Sequence, residues 1–190
     1  MSDKQKDRRT FREKKTYVQM QIVTSLIVSG SVFVFSYWLL PINTSKITEL
    51  SERFAFTICC LFVSSFSIIM GIVGVGNVRG NTDAIDPVYG GAENLVDVPN
   101  RILRNTTEQF FLHMMAMLTL TLFLEGNSMR VIPILSGIFL VARIVYQYGY
   151  MSSPMNRGWG FASTFLPTLA VYTYCTFCLF TKIMNAYNIL

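Results

Sequence analysis

Residues 54–78 read FAFTICCLFVSSFSIIMGIVGVGNV, an apolar run of 25 positions with no charged side chain. A hydrocarbon core about 30 Å thick takes roughly 20 helical residues to cross. The run is continuous, whereas a membrane barrel strand is about ten residues of alternating polarity, so it reads as a transmembrane helix. Working outward, runs of the same kind occupy 17–40, 105–124, 131–150 and 159–181. The first is too long for the apolar region of a signal peptide, and Trp38-Leu39-Leu40-Pro41 offers no small-residue cleavage site. It is expected to stay as a helix. The pattern predicts an all-α integral membrane protein of five transmembrane helices in 190 residues, with no extramembrane domain.

Composition agrees and removes other classes. Hydrophobic residues make up 52% of the chain and charged residues 14%, where ordinary soluble domains carry about 25% charged; this makes the chain a poor candidate for a soluble enzyme. A mean hydropathy of +0.42 with 14% aromatics excludes a disordered chain. Cys59, Cys60, Cys175 and Cys178 all fall in apolar runs, where cysteine acts as a small hydrophobe. Cys175-Thr-Phe-Cys178 has redox spacing without the helix N-terminus and strand-helix setting that lower a thiol pKa. His113 is the only histidine, so no metal site is expected, and it is expected to satisfy a hydrogen bond inside the bundle.

Lys4, Lys6, Arg8, Arg9, Arg12, Lys14 and Lys15 make 1–16 a basic segment. Such a segment sets topology and touches the anionic lipid of the bilayer; nothing after it could read bases, which argues against nucleic acid. Adding Arg79, Arg101, Arg104 and Arg157 gives eleven basic residues on that side, against Lys46, Arg53, Arg130 and Lys182 on the other. Basic residues near helix ends stay cytoplasmic, so the N-terminus is expected in the cytoplasm and the C-terminus in the lumen. The sequon Asn43-Thr44-Ser45 then lies on the luminal side.

Two features of the helices ask for an explanation. Cys60, Ser64, Ser67, Gly71 and Gly74 share one face of the second helix, a small-residue stripe that permits close helix approach within the bundle or between subunits. Polar residues at bilayer depth are costly and mark sites: Arg101, Asn105 and Glu108 share a face at the start of the third helix, and Arg143, Tyr146 and Tyr150 a face at the end of the fourth, with Arg157 seven residues on. With Arg79 they meet at one level near the cytoplasmic surface. Guanidinium forks bind carboxylates, tyrosine hydroxyls donate, and Glu108 with Asn105 can receive an ammonium or amide; the complement is a small zwitterionic, peptide-like anion. The other arrangement open to these residues is that Glu108 pairs with Arg101 or Arg143 to hold the bundle while the tyrosines form an interfacial belt.

Arg101-x-x-x-Asn105-x-x-Glu108 together with Arg143-x-x-Tyr146-x-x-x-Tyr150-x6-Arg157 resembles the glutathione site of the MAPEG superfamily, the membrane-associated proteins in eicosanoid and glutathione metabolism. The resemblance covers 54–185, a MAPEG-type four-helix bundle, preceded here by one extra N-terminal transmembrane helix at 17–40. That extra helix, with Gly149-Tyr150 and Arg157-Gly158-Trp159-Gly160-Phe161, is similar to the mattrin-like branch. The resemblance implies a homotrimer, a cytosol-facing glutathione site between neighbouring subunits, and an apolar cleft for a lipophilic small molecule. It implies that Arg79, Arg101, Asn105, Glu108, Arg143, Tyr146 and Tyr150 hold glutathione and that Arg157 stabilises its thiolate. Gln109 and Phe111 stand where many members carry Tyr and Pro.

Two functions are therefore expected to compete. One is a glutathione transferase or peroxidase acting on lipophilic electrophiles or lipid peroxides. The alternative is a non-catalytic membrane regulator of receptor or cargo trafficking, in endoplasmic reticulum, Golgi or another secretory-pathway membrane. A transporter is disfavoured because no inverted repeat or Gly/Pro-broken pair of segments is present.

Overall fold

The computed structural model describes residues 9–186; Lys4, Lys6 and Arg8 of the basic segment lie outside them. Five long helices follow in order: α1 (Phe11–Leu39), α2 (Leu50–Gly80), α3 (Asp97–Thr121), α4 (Val131–Ser152) and α5 (Arg157–Ala186). Single 3-10 turns punctuate the loops, including Pro154–Asn156 between α4 and α5. The protein is an all-α integral membrane bundle. Among the described residues, α1, α2, α4 and α5 are each long and apolar enough to cross a bilayer. The fifth, α3, carries Arg101, Arg104, Asn105, Glu108, Gln109 and His113; it lies against α2, α4 and α5, which buries Gln109 and His113 and half-buries Asn105, while Arg101, Arg104 and Glu108 stay exposed.

Helix ends are set by local chemistry. α1 starts at Phe11, ahead of the apolar run, because Thr10 and Glu13 close a reciprocal capping box, which satisfies first-turn N–H groups. α3 starts at Asp97, eight residues before the apolar run, and its acidic first residue suits the positive end of the helix dipole.

The α2 stripe is used within the chain. Ser64, Ser67 and Gly71 are buried; a Cβ on Gly71 would lie 3.0 Å from Leu103 Cδ1 on α3, and one on Gly74 would lie 3.1 Å from Gln147 Nε2 on α4. Ser64 Oγ donates to Ser136 O of α4 at 3.4 Å. α1 inverts the usual amphipathic rule: its buried residues are Gln21, Ser25 and Ser29, while Val23, Leu26, Ile27 and Phe35 are exposed. Lipid tails solvate apolar side chains, so little is gained by burying them, and small polar residues let the helix approach α5 closely. Ser25 and Ser29 hydroxyls donate to carbonyls of their own helix.

The two ends of the bundle differ. Leu61, Met117, Leu120, Leu124, Met129, Ile132, Leu135 and Cys175 pack into an apolar core toward the end where α2 begins and α3 ends. There Arg53 donates to Leu124 O at 2.6 Å and the Thr57 and Thr121 hydroxyls pair at 2.7 Å. At the opposite end the core is Ile102, Tyr146 and Tyr150, and this is where the polar faces meet.

Candidate functional site

Arg143 is the centre of the polar end. It is 1% exposed, and a guanidinium cannot shed its charge, so burial at bilayer depth requires acceptors. Nη1 donates to Asn105 Oδ1 of α3 at 3.0 Å and Nη2 to Thr164 Oγ1 of α5. Thr164 in turn donates to Phe161 O at 2.9 Å. Among the described residues the Arg143 Nε has no partner. Its guanidinium carbon stands 4.4 Å over the Tyr146 ring, an arrangement that spreads the charge into the ring quadrupole.

Spacing along α4 explains the rest. Phe139, Arg143, Tyr146 and Tyr150 recur every three or four residues and so form one stripe. Tyr146 and Tyr150 meet edge to face at 5.8 Å, and Arg157 Nη1 donates to the Tyr150 hydroxyl at 3.1 Å. At the other end of the stripe the His113 ring stacks on Phe139 at 4.3 Å. The close crossing of α4 and α5 that makes the column possible rests on Gly160: a Cβ there would lie 2.4 Å from Tyr146 N and 2.5 Å from its Cα.

The sequence-identified residues divide into three groups. Asn105, Arg143, Tyr146, Tyr150 and Arg157 are joined in the column just described. Arg101 and Glu108 are exposed on α3, with Glu108 within electrostatic reach of Tyr146. Arg79 is committed elsewhere: it forms a fork with Glu93, at 2.7 and 3.0 Å, and donates to Ala84 O at 2.8 Å, closing the loop between α2 and α3.

One alternative arrangement is not found, and one expectation is corrected. Among the described residues Glu108 makes no ion pair with Arg101 or Arg143; neutral acceptors hold Arg143 instead, and Tyr146 and Tyr150 are buried at 3% and 4% exposure rather than forming an interfacial belt. Among the described residues His113 Nε2 has no hydrogen-bond partner; the cavity beside it is lined by Ser163, Thr164 and Thr168 as well as Ala116, Met117, Leu135, Ile138 and Phe139. Thr164 and Glu93 were missed. Thr164 was discoverable, since Arg157, Gly160 and Thr164 recur at three and four on α5; Glu93 sits in an irregular loop and had no periodic signal.

Chemically, the column offers two fixed guanidinium groups, one buried N–H without a partner, and phenol hydroxyls at one end of a membrane bundle. Four cysteines are free thiols, and no cluster of metal-ligating side chains occurs among the described residues. An apolar groove of about 430 Å³ between α1 and the bundle, lined by Phe33, Leu124, Leu135 and Tyr174 among others, lies toward the opposite end.

A profile of the MAPEG family matches residues 54–177, the segment that holds α3, α4 and the column. The chain belongs to the MAPEG family. Within curated proteins this MAPEG chain is similar to Transmembrane protein 79 of Mus musculus, 24% identical over 159 residues, which is 84% of this chain and 40% of that protein. It is equally similar to Transmembrane protein 79 of Bos taurus, 24% identical over 156 residues, covering 82% of this chain and 39% of the other. The chain thus spans about two fifths of the length of these relatives. No solved structure matches it. α1 lies wholly outside the MAPEG-matched segment.

Proposed function

We propose that this MAPEG protein binds glutathione at the polar end of the bundle and uses it against lipophilic electrophiles or lipid peroxides. The observation that carries the reading is Arg143, buried and charged, with Nε unpartnered, in line with Arg157. A fixed cation pair with spare donors fits a carboxylate-rich tripeptide. Arg143, Asn105, Tyr146 and Tyr150 form the inner wall, and Arg101 and Glu108 supply exposed groups. Glutathione, when bound, supplies a thiol whose conjugate base is the nucleophile. Arg157 stabilises that negative charge, since a nearby guanidinium favours thiolate over thiol. The exposure of Arg101 and Glu108 on α3 leaves an open flank that a neighbouring subunit of a homotrimer would close. The basic count per side supports placing this end in the cytosol.

Arg79 favours a second reading. Its fork to Glu93 removes one cation from a ligand, which suits a protein that keeps the fold as a membrane regulator of trafficking without turnover.

Glutathione affinity and thiolate absorbance in nanodiscs test the proposal. Arg101→Ala is expected to weaken binding by about 1.5–3 kcal/mol, the range for a hydrogen bond from a charged donor. Arg157→Ala is expected to keep most affinity and lose thiolate absorbance and conjugation, as an interaction felt in the transition state would. Wild-type protein that binds glutathione without forming thiolate or conjugating any lipophilic electrophile sinks the enzyme; wild type that binds none removes the site.

A further inference from the structure

We propose that α1, the helix outside the family-matched segment, is a clamp that positions Arg157. The Tyr17 hydroxyl donates to Asn156 Oδ1 at 2.9 Å, and one turn on, Gln21 Nε2 donates to Met155 O at 3.0 Å. Residues four apart on a helix face the same way, so both reach the Pro154–Asn156 turn, whose next residue is Arg157. Polar side chains on a membrane helix are expensive unless partnered; here the Tyr17 hydroxyl and the Gln21 Nε2 are partnered by a three-residue turn, while Gln21 Oε1 has no partner among the described residues.

The turn is gripped from the other side as well. Asn156 Nδ2 donates to Ser152 Oγ of α4 at 3.3 Å, and a Cβ on Gly149 would lie 2.8 Å from Asn156 O. A Cβ on Gly158 would lie 2.3 Å from Gln21 Oε1. Gly149 and Gly158 therefore make room for the turn and for the Gln21 amide. Arg157 itself is exposed, and among the described residues its side chain has one hydrogen bond, to Tyr150. Where its guanidinium stands thus depends on the backbone that α1 holds. Tyr17, Gln21 and Asn156 are positioning residues that act through Arg157.

The clamp stands on its own geometry, whereas its effect on the thiol rests on the glutathione reading above. The test is Tyr17→Phe, Gln21→Leu and their combination in the full chain in nanodiscs. Hydrogen exchange is followed at 153–158, with glutathione affinity and thiolate absorbance measured on the same samples. Each lost hydrogen bond is expected to speed local exchange about three- to tenfold, while the affinity for glutathione stays within about twofold and the thiolate absorbance of the bound form falls. Asn156→Asp, which keeps an acceptor facing Tyr17, should hold exchange closer to wild type than Asn156→Leu. Unchanged exchange in the double variant overturns the clamp. Faster exchange with undiminished thiolate absorbance overturns the positioning of Arg157. Faster exchange in a protein whose wild type binds no glutathione upholds the clamp and refutes the glutathione reading instead.

Discussion

Thr164→Val is the sharpest probe of how a charge is kept inside this bundle. Arg143 is 1% exposed and donates to two acceptors, Asn105 Oδ1 and Thr164 Oγ1. Valine keeps the branched shape and deletes one acceptor. Neutral hydrogen bonds between membrane helices average about 0.6 kcal/mol, but one from a charged donor contributes about 1.5–3 kcal/mol. The guanidinium cannot neutralise itself, so the higher range applies and a loss of about 2 kcal/mol is expected, about 30-fold in the folding equilibrium. Thr164→Ser keeps the hydroxyl and loses one methyl, about 0.8 kcal/mol. Unfolding titrations in mixed micelles would measure both. The reasoning fails if valine costs no more than serine. A double-mutant cycle with Asn105→Leu adds a check, since residues sharing one buried charge should couple by about 0.5–3 kcal/mol.

Other outcomes follow from contacts already described. Gly160→Ala should cost about 1–3 kcal/mol in the same titration, the range for overpacking, because its Cβ meets the Tyr146 backbone at 2.4 Å. Gly71→Ala should cost less, since it meets the mobile tip of Leu103 at 3.0 Å; equal effects would refute the packing argument. Glu93→Gln should release Arg79 and tighten glutathione binding by up to about tenfold, one charge-assisted hydrogen bond at the low end of its range, and an unchanged Kd would take Arg79 out of the binding set. A tag at the N-terminus should be digested by protease added to sealed microsomes, and a cysteine at Asn43 labelled only after permeabilisation. Protection of the tag would reverse the orientation and move the site to the lumen.

The fold class and the residues of the polar column were legible along the chain, and the reason is periodicity. Membrane helices announce themselves by length and hydropathy, and side chains three or four apart share a face whatever the fold does next. That was enough to group Arg143, Tyr146 and Tyr150, and to pair their stripe with that of Asn105. The MAPEG match over 54–177 covers the same ground.

What remained was decided by which helix faces which, and that depends on close approach in three dimensions. The α2 stripe of small residues was compatible with a contact inside the chain or between subunits; Leu103 and Gln147 standing opposite Gly71 and Gly74, with Ser64 Oγ donating to Ser136 O, show the chain using it internally. Arg79 carried the same charge as Arg143 in the sequence, yet an irregular loop brings Glu93 to one, while helix packing brings Asn105 and Thr164 to the other. Tyr17 and Gln21 lie in the first apolar run and carried no signal of their own in the sequence. Their value comes from a turn more than 130 residues away in sequence, and hydrogen bonds across such a separation leave no local pattern because the backbone between them, not the spacing of side chains, sets who meets.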